Sequence, residues 1–325
     1  MSDELYPKPE NVESGHLDVG DGHQIYYEVS GNDDGYPVVY LHGGPGAGIS
    51  GMEHRYFDTS FYKVILFDQR GAGKSLPYAE VEHNSPEHLI ADIEKLRKHL
   101  GITTWAVCGG SWGSTLAMLY ATKHPERVRR LLLRGIFFGD YKSSLYIIES
   151  DGAASIQPEY FQQYAEAPYV PEAARHNLVQ AYHDILMYGD RETQIEAAMR
   201  FHVWDASIAY AQVNKKVLEG IRRHPEQSLA LSKLFFHFVL DSYAKHDYKK
   251  QILDHIEVLQ RMPIDIIHGE CDWICPVENA QELKARCPNA NLNIVPGAGH
   301  TMADELIWRA FIQTLDRWKE EIEAA

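Results

Sequence analysis

Trp105-Ala106-Val107-Cys108-Gly109-Gly110-Ser111-Trp112-Gly113-Ser114-Thr115-Leu116-Ala117-Met118-Leu119-Tyr120-Ala121 decides how the rest of the chain is read. Its centre is Gly109-x-Ser111-x-Gly113. The run before it, Trp105–Cys108, is apolar and short, as expected of a buried strand, and the run after it, 115–121, continues as a buried helix. A serine held between strand and helix, with glycine on both sides, describes a sharp turn that lifts a hydroxyl off the end of a sheet. A side chain at either glycine would collide with the turn. An isolated Gly-x-Ser-x-Gly carries little information. In this setting it predicts that Ser111 is a nucleophile.

Outward from this turn the pattern repeats. Pro37–Leu41, Lys63–Phe67, Val128–Arg134, Ile264–Ile267 and Asn291–Val295 read as further short strands. Helices are expected between them: one opened by Ser85 and Pro86 and stopped at Gly101, one over 277–287, and a closing one over 304–321. Residues 13–31 read as a β-hairpin turning at Asp21-Gly22. Unbroken apolar strands alternating with helices predict an α/β fold, a mostly parallel sheet covered on both faces. Residues 140–255 differ, being rich in helix formers and aromatics without a clear buried strand. We expect a helical cap there, inserted into a core made of 1–139 and 256–325.

Composition limits the function. The chain has 325 residues, 45% of them hydrophobic, with 31 basic against 46 acidic side chains and a formal net charge of −15. That balance disfavours nucleic acid and anionic membranes as partners. No apolar run is long enough to span a bilayer, and Met1–Pro7 lacks the pattern of a secretory signal. The four cysteines, Cys108, Cys271, Cys275 and Cys287, form no Cys-x-x-Cys pair and read as reduced thiols, so a cytoplasmic location is expected. The histidines show no clustered metal-ligand spacing, and neither metal nor cofactor is expected.

Chemistry-bearing residues recur at one place, just beyond the carboxyl ends of strands: His42, Asp68, Ser111, Asp272 and His300. That is where open α/β sheets carry their sites. A serine hydroxyl needs a base to take its proton, and the base needs a group to orient it. The order Ser111…Asp272…His300 is that of α/β-hydrolases. His42-Gly43-Gly44-Pro45-Gly46 is a glycine-rich loop after a core strand, suited to supply an N–H donor to a developing oxyanion; Gly44 and Trp112 are the expected donors. Gly73-Lys74-Ser75 is not a phosphate loop, because position 68, where such a loop has glycine, is Asp68. A carboxylate nucleophile, as epoxide or haloalkane chemistry requires, is excluded by Ser111.

With these residues in place the chain resembles proline iminopeptidases (prolyl aminopeptidases). The resemblance rests on His42–Gly46, Asp68–Ser75, Gly109–Ser114, His124-Pro125-Glu126-Arg127-Val128, Leu132-Leu133-Arg134-Gly135-Ile136-Phe137 and His268–Pro276, and covers nearly the whole chain. It implies an α/β-hydrolase core with a helical cap, and a cofactor-free serine peptidase that removes an N-terminal residue, preferentially proline, from short peptides. It also implies substrate-binding roles for Arg134, Phe137, Trp204, Asp205, Phe235 and Glu149. The family holds the substrate ammonium with cap glutamates. Here Phe201-His202-Val203-Trp204-Asp205 carries an acid one methylene shorter, and Phe235 stands where a second glutamate is expected. Ile148 replaces a family tyrosine, next to Glu149 as a replacement anion. The alternatives are a carboxylesterase or amidase of the same fold, and a non-catalytic protein that uses the pocket as a receptor.

Overall fold

The computed structural model describes residues 4–324; Met1–Asp3, part of the segment read for a secretory signal, and Ala325 lie outside the described residues. Strands β1 (Val12–Gly20) and β2 (His23–Gly31) form the hairpin, and Asp21 (φ 56°) and Gly22 (φ 79°) take the two left-handed positions its turn requires. Strands β3 (Tyr36–Leu41), β4 (Tyr62–Phe67), β5 (Trp105–Gly110), β6 (Val128–Arg134), β7 (Ile264–Gly269) and β8 (Asn291–Val295) complete one eight-stranded sheet in the order β1-β2-β4-β3-β5-β6-β7-β8. Only the β1–β2 and β2–β4 pairings are antiparallel. From β4 to β8 every neighbour is parallel.

Strand alternation sorts the core into two layers. Val39, Leu41, Val107, Leu131 and Leu133 face one side and pack with Leu89, Ile93 and Leu96 of α1 (Pro86–His99) and with α2 (Trp112–Lys123). Val38, Tyr40, Ala106, Cys108 and Leu132 face the other side and meet Phe311, Leu315 and Trp318 of the closing helix, Glu305–Glu323. Strands buried on both faces explain the unbroken apolar runs. Ser85 precedes α1 as expected, but its hydroxyl bonds Glu87 (3.0 Å) and His88 (2.9 Å) rather than a helix N–H.

Between β6 and β7 the described residues contain helices and no strand. These are α3 (Tyr141–Ile148), α4 (Pro158–Ala165), α5 (Leu178–Tyr188), α6 (Arg191–Ile208), α7 (Lys215–Arg223), α8 (Ser228–His237), a wider turn over Phe238–Tyr243, α9 (Tyr248–Asp254) and α10 (Ile256–Leu259). Asp140, Asn177, Asp190, Asn214 and Asp247 each start one of them by accepting a backbone N–H. Ile147, Tyr164, Phe201, Trp204 and Phe236 of this segment belong to the same apolar cluster as α1 and α2, while Val203, Ala206 and Leu218 form a small cluster of their own.

The site depends on how closely β5 and α2 approach β3. A Cβ on Gly113 would lie 2.1 Å from the Leu41 carbonyl, and one on Gly109 would lie 2.2 Å from the Gly113 carbonyl. Gly113→Ala therefore forces α2 away from β3. Overpacking of this kind costs about 1–3 kcal/mol. Urea unfolding should show that loss, with an unchanged m-value, together with reduced esterase activity.

Candidate active site

Ser111 sits at φ 57°, ψ −125°, a left-handed backbone that a side chain rarely adopts. The turn is held by Ser111 N–H donating to the Arg134 carbonyl at 2.8 Å and by Ser114 N–H donating to the Ser111 carbonyl at 2.8 Å. Strain kept at such a point over-determines where the hydroxyl stands. The hydroxyl lines a cavity of about 310 Å³.

His300 lines the same cavity. Its Nδ1 is 2.7 Å from Asp272 Oδ2, both residues being buried. A carboxylate there requires Nδ1 to carry the proton and leaves Nε2 able to accept one. Asp272 Oδ1 accepts from the N–H groups of Ile274 (3.1 Å) and Cys275 (2.7 Å). Burial would raise the Asp272 pKa, but His300, His268 and the Cys275 N–H outweigh it and hold the carboxyl below its usual value. The group therefore stays ionised at neutral pH and favours an imidazolium beside it. His268 supports this loop as a neutral ring: Nδ1 accepts from Ile136 N–H at 3.1 Å, so Nε2 donates to the Cys275 carbonyl at 2.7 Å. Asp272, Cys275 and His300 also place their polar atoms within 4.8 Å of one another, the one cluster of metal-ligand type among the described residues. Both Asp272 oxygens are already engaged in that cluster.

The glycine-rich loop lies across from Ser111. Gly44 has φ +109°, and a Cβ there would meet Ala47 N at 2.6 Å and Leu231 Cδ1 at 2.8 Å. Trp112 is the first residue of α2, where a helix has no intrahelical partner for its N–H. His42 shapes the loop. Its Nε2 accepts from Gln69 N–H at 3.0 Å, and Nδ1 lies 2.9 Å from the Gly43 carbonyl and 3.3 Å from the Gly48 N–H. Burial lowers its pKa to about 4, which keeps the ring neutral. Gln69 completes the frame by donating to the His42 carbonyl (2.8 Å) and accepting from Trp112 Nε1 (2.9 Å). Asp68 binds Ile49 N–H (2.6 Å) and Lys74 N–H (2.8 Å), which ties the next loop to this one.

Of the expected substrate-binding residues, the structure brings Asp205, Arg134 and Phe235 to the cavity. Asp205 faces it from α6 with no hydrogen bond or ion pair among the described residues. Burial raises its pKa to about 6 against the opposing pull of His300. Phe235 stacks on Phe201, with ring centres 5.0 Å apart, as an apolar wall.

Three expected residues are placed elsewhere. Glu149 caps α5, accepting from Val179 N–H (2.9 Å) and Leu178 N–H (3.3 Å). Trp204 turns into the helical segment, where Nε1 donates to the Ile147 carbonyl at 2.9 Å. Phe137 is buried against Tyr243 below α2. Conversely, Glu53, His202, Tyr40 and Leu231 line the cavity without having been singled out in the sequence. His202 stays neutral, burial lowering its pKa to about 4.

A strained serine between strand and helix, an Asp-oriented histidine and a glycine-rich loop at the carboxyl ends of a parallel sheet define an α/β-hydrolase. Residues 36–305 match the model of the α/β hydrolase fold family. Among solved structures, an esterase from Exiguobacterium antarcticum superposes with a TM-score of 0.63 at 18% identity, covering 96% of this chain and 98% of its own. A proline iminopeptidase-related protein from Thermus thermophilus gives 0.57 at 20%, covering 97% and 96%. At such identities these likenesses concern the fold.

Sequence relatives go further. The chain is 39% identical to the proline iminopeptidase of Xylella fastidiosa Temecula1, over 91% of this chain and 93% of that protein. It is 42% identical to the Arabidopsis thaliana proline iminopeptidase, over 91% and 77%. It is 39% identical to the Neisseria gonorrhoeae proline iminopeptidase, over 96% and 98%. The chain belongs to the proline iminopeptidase family.

Asp272→Asn keeps the shape of the side chain but no longer fixes the His300 tautomer. We expect kcat to fall by about 10⁴-fold, as when the orienting acid of a triad is neutralised. Circular dichroism should confirm an intact fold, and steady-state assay with an activated ester should give the rate.

Proposed function

We propose that the chain is a serine aminopeptidase that releases the N-terminal residue, proline in first preference, from short peptides or amides. The relatives' names supply the proline. The observation that carries the rest is Asp205, a carboxylate without a protein partner in the cavity that holds Ser111 and His300. Leaving an anion half-buried and unpaired is costly unless a ligand cation completes it. A substrate α-ammonium is such a cation, and an internal peptide bond has none.

In this reading Ser111 Oγ attacks the carbonyl carbon while His300 Nε2 takes its proton. The oxyanion forms against the N–H groups of Gly44 and Trp112, and the N-terminus of α2 favours negative charge there. The imidazolium, stabilised by Asp272, passes the proton to the leaving amine as the C–N bond breaks. Water then attacks the acyl-enzyme with His300 again as base, and the amino acid leaves. Residues 140–255 act as the cap, since α6 and α8 carry Asp205 and Phe235 over the nucleophile. Phe235 leaves one carboxylate in the cap wall of the cavity. That favours, as a second reading, a relaxed amidase or esterase that also accepts substrates without an ammonium. Among the described residues no helix is long and apolar enough to cross a membrane. All four cysteines are free thiols, which fits work in the cytoplasm.

The test is Asp205→Asn against two substrates. For a free-amine prolyl anilide, kcat/KM should fall about 10- to 1000-fold, the loss expected for a charge-assisted hydrogen bond and its desolvation. For a small neutral ester it should change little. The pH dependence has a definite sign. Asp205 has its pKa raised to about 6, so its charge is present above that pH and lost as pH falls through it. Effects on the shared triad cancel in the ratio of the two substrates. The anilide-to-ester ratio of kcat/KM should therefore decline below about pH 6, and Asp205→Asn should flatten that decline. Equal loss on both substrates would make Asp205 structural.

A further inference from the structure

Arg134 ends β6 in the middle of the sheet, paired with Gly110 of β5 on one side and Ile267 of β7 on the other. Its main chain and side chain hold different parts of the site. The carbonyl accepts the Ser111 N–H at 2.8 Å. The guanidinium Nη1 donates to the carbonyl of His300. The following residue, Gly135, has φ +55°, and a Cβ there would stand 3.0 Å from His300 Cε1 and 3.4 Å from Asp272 Oδ2. The Arg134-Gly135 pair thus lies against all three members of the triad.

This is an expensive way to place an arginine. The residue is 6% exposed, its Nε has no hydrogen-bond partner, and no carboxylate pairs with it among the described residues. Buried arginines are ordinarily paired. The guanidinium fits only because Gly110 lacks a side chain; a Cβ there would lie 2.2 Å from Nη2. The His300 main chain has one other hold, its N–H donating to the Ala209 carbonyl at 2.8 Å, at the end of α6. The base loop is therefore gripped from the sheet by Arg134 and from the helical segment by Ala209.

We propose that Arg134 is a positioning residue for the general base. It fixes the His300 main chain relative to the strand end that carries Ser111, so that the proton acceptor keeps its reach. The proposal rests on the triad reading given above. It differs from the substrate-binding role that the resemblance implies for Arg134. Although the residue also lines the cavity, its Nη1 is given to the protein's own main chain at His300. Misplacing a reacting group by about 1 Å costs on the order of 10²-fold in rate.

Arg134→Met should therefore lower kcat about 10- to 100-fold on both a neutral activated ester and a free-amine anilide, with KM kept within about threefold. A serine-directed phosphonate should label Ser111 more slowly by the same factor. Arg134→Lys, which keeps a donor, should recover part of the rate, and added guanidinium should partly restore Arg134→Ala. If Arg134→Met does not fold, the Lys variant decides alone, and an intermediate kcat at unchanged KM is the supporting result. A raised KM with kcat intact would assign Arg134 to substrate binding and overturn the proposal. Labelling of Arg134→Met at the wild-type rate would also overturn it. Failure of the triad reading looks different: Ser111→Ala would then keep both labelling and ester hydrolysis.

Discussion

Everything at this site depends on backbone brought into direct contact with backbone around Ser111. Strand β5 must end, the chain must reverse through a left-handed serine, and α2 must start within touching distance of β3. Glycine at 109 and 113 is what permits this, and glycine at 43 extends it, since a Cβ there would press on Gly110 and on Ser111 Cβ. The same closeness delivers the chemistry. It brings the Trp112 N–H and the Gly44 loop to one side of the serine, while the His300 loop lies over the neighbouring strand ends. Neutral histidines then secure the loops. His42 lies between the Gln69 and Gly48 N–H groups and the Gly43 carbonyl, and His268 between the Ile136 N–H and the Cys275 carbonyl, so they act as fixed connectors rather than as acids or bases.

Charge in the cavity is arranged by burial. Asp272 stays ionised because its partners outnumber the cost of desolvation, whereas Asp205 has no such partners and its pKa rises. Two carboxylates, one buried behind His300 and one in the cavity wall, are thus held in different states by their surroundings alone. One is permanently committed to His300. The other faces the cavity with no hydrogen bond or ion pair among the described residues. Phe235 and Phe201 stack as an apolar part of the same wall.

Much of this was legible in the sequence because the signals were local. Buried strands, the Asp21-Gly22 turn and the strand-end positions of Ser111, Asp272 and His300 are each set by a few neighbouring residues. The helical segment gave no such help. On α6, Phe201, Val203, Trp204, Ala206, Ser207 and Ile208 are all buried, so no single apolar face marks the direction of the cavity. Successive residues on a helix point about 100° apart. Trp204 accordingly turns inward while Asp205 faces the substrate space. Glu149 was misplaced for a related reason. An acid beside a pocket-forming stretch reads as an anion site, but its partners are N–H groups some thirty positions away. The hold of Arg134 on His300 spans 166 residues and leaves no sequence signature.

The central claim is that this serine hydrolase recognises a free N-terminus. The most direct measurement is kcat/KM for one prolyl anilide with its amine free and with the same amine acetylated, on the unmodified protein at neutral pH. The account predicts that the free amine is preferred by about 10- to 1000-fold, the worth of one charge-assisted contact to Asp205. Equal rates for the two, with Ser111 still reactive, would contradict it.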